Sequence, residues 1–241
     1  MNPEDPIHDG WAPPVHRLER PDAPDDAVNI NVGGRRVAGP VQGFGRLWKK
    51  TYRVRVGERV EPADVVATWR RDFGTFWPPG NRFYGPVTGL EPGEVALLNL
   101  SMPGGLELST GVLMLYADDE GFTLMTPEGH QFAGWITFSA FVDLDRGTTA
   151  QVQVLMRSSD PIYEIGMALG GHRIEDRFWG ATLTALAISL GVPEPAVDAH
   201  RECVDKRRQW SRAGNVRYNS AIRSGMYRAS RIVRRSGTTS G

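Results

Sequence analysis

Along residues 48–56, WKKTYRVRV, polar and apolar positions alternate, with Tyr52, Val54 and Val56 on one side and Thr51, Arg53 and Arg55 on the other. That period of two predicts a half-buried strand. The spacing then changes: Pro62 suits a first helical turn, and Val65, Val66, Trp69 and Phe73 recur at helical intervals until Gly74 and the Pro78-Pro79-Gly80 run stop them. Five strand-like runs follow, at 94–100, 106–116, 122–126, 132–143 and 149–157. Their separators PGG, ADDEG, PEGH and LDRGT have hairpin length and turn chemistry, so the runs form an antiparallel meander. Ser159 and Asp160 before Pro161 signal a helix start, and a long helix runs from there to Leu190. Its apolar residues Ile162, Ile165, Leu169, Ile174, Phe178, Leu183, Leu186 and Leu190 predict one face on the sheet, and Gly170-Gly171 a kink.

Charge divides the chain into three. Residues 1–27 hold seven acids against two arginines, a net of −5, with six prolines and little apolar periodicity, which reads as a disordered arm. Residues 28–192 contain the strands and helices; counted to 200, this core has 15 basic and 19 acidic side chains, a net of −4. The tail, 193–241, is the basic part: from 201 onward it has eleven basic residues against Glu202 and Asp205, a net of +9. Pro193 and Pro195 can open a helix through AVDAHRECVDKRRQW, and Tyr218, Ile222, Met226, Ala229 and Val233 recur at helical steps, so the tail is read as partly helical. The formal neutrality of the 241 residues therefore conceals a polarised molecule.

Element order and local words resemble the START, polyketide-cyclase and plant-allergen superfamily, also called SRPBCC. The resemblance covers residues 46–192 and is carried by GFTLMTPEGHQFAGWITF, with its Gly129-His130-x-x-x-Gly134 word, and by VLMRSSDPIYEIGMALGGHRIEDRFW, with its Ser158-x-x-Pro161 opening. It implies an α+β helix-grip fold, a curved antiparallel sheet holding a long C-terminal helix around an apolar cavity. The superfamily includes carriers, cyclases, receptors and assembly factors, so the fold does not select among them.

Candidate chemistry is sparse. Of five histidines, His130 and His172 fall in the core, where each can serve as acid, base or ligand anchor or be an ordinary turn or helix histidine. His172, Glu175 and Asp176 share a helix face, which reads as a surface charge cluster more readily than half a metal site, so no metal is assigned. Trp135, Thr137, Ser139 and Phe141 form one face of the 132–143 strand, and this mixture of aromatic bulk with hydroxyls suits a mostly apolar ligand pocket. Trp77, Phe83 and Tyr163 join them as candidate lining, with core packing the alternative. A ligand pocket should offer about 300 Å³ or more. The Gly33–Gly45 glycines bridge no strand and helix, no Gly-Lys-Ser/Thr follows, and the serines lack a GxSxG context, so no cofactor is assigned.

These features leave three readings: a carrier or sensor of a small apolar ligand, a cyclase or hydratase using His130 or His172 together in one cavity, and a scaffold whose basic tail meets an anionic partner. In the third, Arg207, Arg208, Arg212, Arg217, Arg223 and Arg228 would contact an anionic membrane, an acidic protein or, as the lesser option, nucleic acid. The lone Cys203 and the acidic, proline-rich start MNPEDPIHDG lead to the expectation of a reducing, cytoplasmic setting.

Overall fold

A computed structural model describes residues 10–19, 24, 27, 30–58, 60–85, 91–143 and 147–237. Eight strands form one curved antiparallel sheet: β1 (Leu47–Gly57), β2 (Arg82–Tyr84), β3 (Val95–Met102), β4 (Leu106–Ala117), β5 (Gly121–Met125), β6 (Phe132–Asp143), β7 (Gly147–Ser158) and β8 (Val197–Asp205), in the order β2-β3-β4-β5-β6-β7-β1-β8. Strands β2 to β7 follow the chain, as hairpin-length loops require. Strand β1 closes onto β7, with Tyr52 opposite Val152 and Val54 opposite Ala150.

One face of this sheet is apolar. Tyr52, Val54, Val56, Leu98, Val112, Phe122, Phe138, Val152 and Val154 are buried there beneath two helices. The first, α1 (Pro62–Arg71), inserts Trp69, fully buried, with its ring edge-on to Phe138 at 5.1 Å and Phe122 at 6.2 Å. Burying such a ring contributes about 3 kcal/mol, and the edge-to-face contacts add to it. The second is the long helix in three parts: α2 (Pro161–Gly166), a π-type turn over Met167–Gly171, and α3 (His172–Ser189). Asp160 caps α2, its Oδ1 accepting from the Ile162 and Tyr163 amides. The expected kink is present at Gly170, whose φ of +125° only glycine adopts without strain.

That turn resets the phase of the helix and corrects its expected inner face. Ile162, Ile165, Leu169 and Ile174 are exposed, Leu169 by 83%. Tyr163, Met167, Glu175 and Thr182 point inward in their place, while Leu183 and Leu186 are buried as their spacing predicts. A π-type turn breaks the 3.6-residue period, so one continuous count cannot hold on both sides of it.

Both chain ends differ in part from expectation, although the helix predicted by the spacing of Ile222, Met226 and Ala229 is present over Ser220–Gly237. The stretch from Ala196, read as helix, is strand β8, which pairs along β1 with Val197 opposite Val54, Ala199 opposite Tyr52 and Cys203 opposite Trp48. Pairing the open edge of β1 outweighs a weak helical pattern, and the charged side chains of β8 suit its place at the sheet edge. Residues 10–19, part of the arm read as disordered, are ordered against the sheet: Trp11 bridges to Tyr116, and Leu18 is buried with Val32, Leu97 and Leu113 on the outer face. Residues 1–9 and most of 20–29 lie outside the described residues. A fourth helix, α4 (Ser220–Gly237), covers the outer face of β4 through polar groups. Asn31 Nδ2 donates to the Ser109 carbonyl at 2.7 Å and to Ser224 Oγ at 3.2 Å, and Arg223 Nε donates to Asn31 Oδ1 at 2.9 Å.

Candidate functional site

Between the sheet and the long helix lies a cavity of about 260 Å³. Leu100, Val112, Ile136, Val154, Met156 and Phe178 make its walls apolar, and Trp77 and Tyr163 border it. Its volume falls slightly under the range for drug-sized ligands, which suits a smaller molecule. Few polar groups reach it. The Trp77 indole N–H is buried without a hydrogen-bond partner.

The other proposed lining residues divide by strand parity. Trp135 borders the cavity, while its ring lies toward Gly39 on the far side of the sheet. Thr137, Ser139 and Phe141 share that outer face, where Thr137 Oγ1 meets Thr123 Oγ1 at 2.9 Å and the Arg53 guanidinium sits 5.9 Å from the Phe141 ring centre. The face of β6 expected to line the cavity is thus its outer face, with Trp135 alone of these four at the cavity border. Register decides it: Phe138 lies opposite both Phe122 and Val152, and all three are core residues. Phe83 packs against Phe73 at 5.0 Å and Trp77 at 5.4 Å, one layer behind the cavity.

The two histidines occupy different spaces. His130 borders the cavity, with its Nδ1 accepting the Phe132 amide at 3.0 Å, and burial pushes its pKa down to about 4. His172 borders a separate cleft on the outside of the helix, packed edge-on to Trp48 at 4.6 Å. Burial, then Lys50, Arg201 and Arg46, bring its pKa to about 4 as well. Both rings are neutral at pH 7, and the expectation that they face one cavity fails.

The charged group that does reach the cavity is Glu175. It belongs to a buried network that sequence reasoning missed. Lys50, on the inward side of β1 two residues before Tyr52, is fully buried and donates to Glu175 Oε2 at 2.7 Å, Asp176 Oδ1 at 2.8 Å and the His172 carbonyl at 3.4 Å. Tyr52 Oη donates to the same Asp176 oxygen at 2.6 Å. Burial pushes the Glu175 carboxyl up to about 7 against the pull of Lys50. At Asp176 the bonds from Lys50 and Tyr52 outweigh burial and hold the carboxyl below its ordinary value. The acidic face of α3 is thus engaged by an ammonium, and among the described residues no three metal-ligating side chains converge. The missed signal was a lysine on the apolar parity of a strand.

Three of the six tail arginines, Arg208, Arg223 and Arg228, are tied to the body. Arg208 Nε pairs with Glu164 at 3.1 Å, Arg207 with Asp205 at 2.9 Å, and Arg228 with Glu107, while Arg223 holds Asn31. Arg212 and Arg217 are exposed, and the Arg217 guanidinium lies over the Tyr218 ring at 4.7 Å.

No protein-family model and no curated protein matches the chain. Among solved structures it is similar to a START superfamily protein from Mycobacterium smegmatis, at 18% identity and a TM-score of 0.39 over 61% of this chain and 97% of that one. It is also similar to a protein from Arthrobacter aurescens solved by solution NMR, at 13% identity and a TM-score of 0.44 over 65% and 91%. A third is the major latex-like protein 151 of Panax ginseng, at 15% identity and a TM-score of 0.31 over 62% and 100%. The fold itself is α+β, an eight-stranded antiparallel sheet with a long, kinked helix seated against one face.

Proposed function

We propose that the protein binds a small, mostly apolar molecule between its sheet and long helix. The observation that supports this reading is the apolar cavity itself: a core packed at ordinary density leaves few voids larger than a water molecule. The carboxyl of Glu175 and the imidazole of His130 border the cavity, and either can orient a ligand carrying a hydroxyl or carbonyl. The cyclase reading, which required two imidazoles in one cavity, has only His130 there and loses its basis in paired proton transfer.

Titration with the uncharged fluorophore N-phenyl-1-naphthylamine tests the proposal. The expected result is saturable binding that falls about tenfold or more in Val112→Trp, which fills the cavity, provided circular dichroism shows that variant folded. Absence of binding to the wild-type chain, together with no small molecule retained in native mass spectrometry, overturns it.

A further inference from the structure

The second space in the molecule has the opposite chemistry. At the kink of the long helix, outside the wall that closes the apolar cavity, lies a cleft of about 520 Å³. Four arginines from four parts of the chain converge on it: Arg46 just before β1, Arg173 in the first turn of α3, Arg201 on β8, and Arg208 beyond β8. Glu164 is its one acidic lining residue, and that carboxylate already accepts from Arg208 Nε and, at 3.0 Å, from Ser158 Oγ.

The cation excess is incompletely answered. Arg201 reaches Asp176 only at 3.9 Å and lies over the Trp48 ring at 5.5 Å. Among the described residues Arg46 and Arg173 have no carboxylate partner. The Arg46 Nε is buried with no acceptor, and the Nδ1 of His172 is also buried and unpartnered. A buried N–H left without an acceptor costs about 1–3 kcal/mol, and like charges gathered in one cleft add to that. A group presenting several oxygens and a negative charge relieves the repulsion among these cations, because guanidinium N–H forks match carboxylate and phosphate oxygens. Apolar surface adjoins the cations: the Trp48 ring, Met167, which borders both spaces, and the exposed Leu169.

We propose that this cleft is an oxyanion-binding site for a carboxylate or phosphate group on a small molecule with an apolar portion. It is a second site, reached from outside the helix, and it does not depend on occupancy of the inner cavity.

Calorimetric titration of the full chain with inorganic phosphate, octyl phosphate and octanol tests it. Octyl phosphate is expected to bind about tenfold tighter than inorganic phosphate, and both several-fold more weakly in 0.3 M than in 0.05 M salt. Arg46→Gln combined with Arg173→Gln should weaken both anions about tenfold; the exposed Arg173→Gln alone serves should the pair fail to fold. Equal affinity for the two anions overturns the apolar portion of the ligand. Failure of either anion to bind, or binding unchanged in the arginine variants, overturns the site. The arginine variants should bind N-phenyl-1-naphthylamine as the wild type does, so failure of the cleft and failure of the cavity are read separately.

Discussion

Lys50 and Glu175 meet at 2.7 Å across the seam between β1 and α3, and both are buried. The pair ties the strand that closes the sheet to the helix that the sheet grips. Removing one partner of a buried ion pair leaves the other uncompensated, at a cost of about 3–5 kcal/mol. Lys50→Met is therefore expected to lower the urea midpoint strongly, and Lys50→Met with Glu175→Gln to recover part of the loss, since only Asp176 then lacks its cation. Equal destabilisation by the single and double variants would show that the ammonium is held by Asp176 alone.

Glu175 and His130 pull the pH dependence of stability in opposite directions. With its folded pKa raised to about 7, Glu175 binds its proton more tightly in the folded state; its contribution is present at low pH and fades as pH rises from the ordinary carboxyl range through 7. His130, lowered to about 4, contributes stability above 6.5 that is lost as pH falls toward 4. For this buried imidazole the loss between pH 7.5 and 5 is about 2 kcal/mol. His130→Asn should flatten the acid side of a stability profile, and Glu175→Gln the side rising to neutrality, as read from urea midpoints at half-unit pH steps.

How much of this was legible in the sequence depends on the range of the interaction. The meander, the Pro62 and Pro161 helix starts and the Gly170 kink are local signals, and each element stands where its pattern places it. The cavity face of β6 was not legible because alternation separates two faces without saying which one a neighbouring strand shares; the register beside Phe122 and Val152 supplies that. Strand β8 was missed because its partner lies about 150 residues earlier, and no local count reveals an open strand edge. Lys50 was missed because a cation on an apolar parity reads as an error in the pattern until its two carboxylates are placed beside it.

Gly170 offers a test of backbone geometry isolated from packing. Its φ is +125°, and no heavy atom lies within 4 Å of where a Cβ would stand. Any cost of Gly170→Ala is therefore conformational, about 1–3 kcal/mol for a residue forced into that region. A thermal midpoint several degrees below the wild type is expected, whereas an unchanged midpoint would mean that the helix re-forms through the kink.

Asn31 carries the attachment of the C-terminal helix. Its side chain bonds the Ser109 carbonyl, Ser224 and Arg223 at once, joining the segment before β1, strand β4 and helix α4 beneath the outer surface. Asn31→Ala strips four bonds, the fourth being to the Ser220 carbonyl at 3.3 Å, and leaves the Ser109 carbonyl without that donor, while the Arg223 guanidinium keeps only its bond to the Ile30 carbonyl at 3.2 Å. Each unsatisfied buried group costs about 1–3 kcal/mol, so loss of the whole interface is expected to exceed that of a single hydrogen bond. Hydrogen exchange separates local from global effects. Amides of α4 around Ser224 should lose protection in Asn31→Ala while those of β6 and β7 keep theirs. Uniform loss across the sheet would instead make α4 a required part of the fold, and the exposed Arg212 and Arg217 could then not be offered to a partner by simple release of the tail.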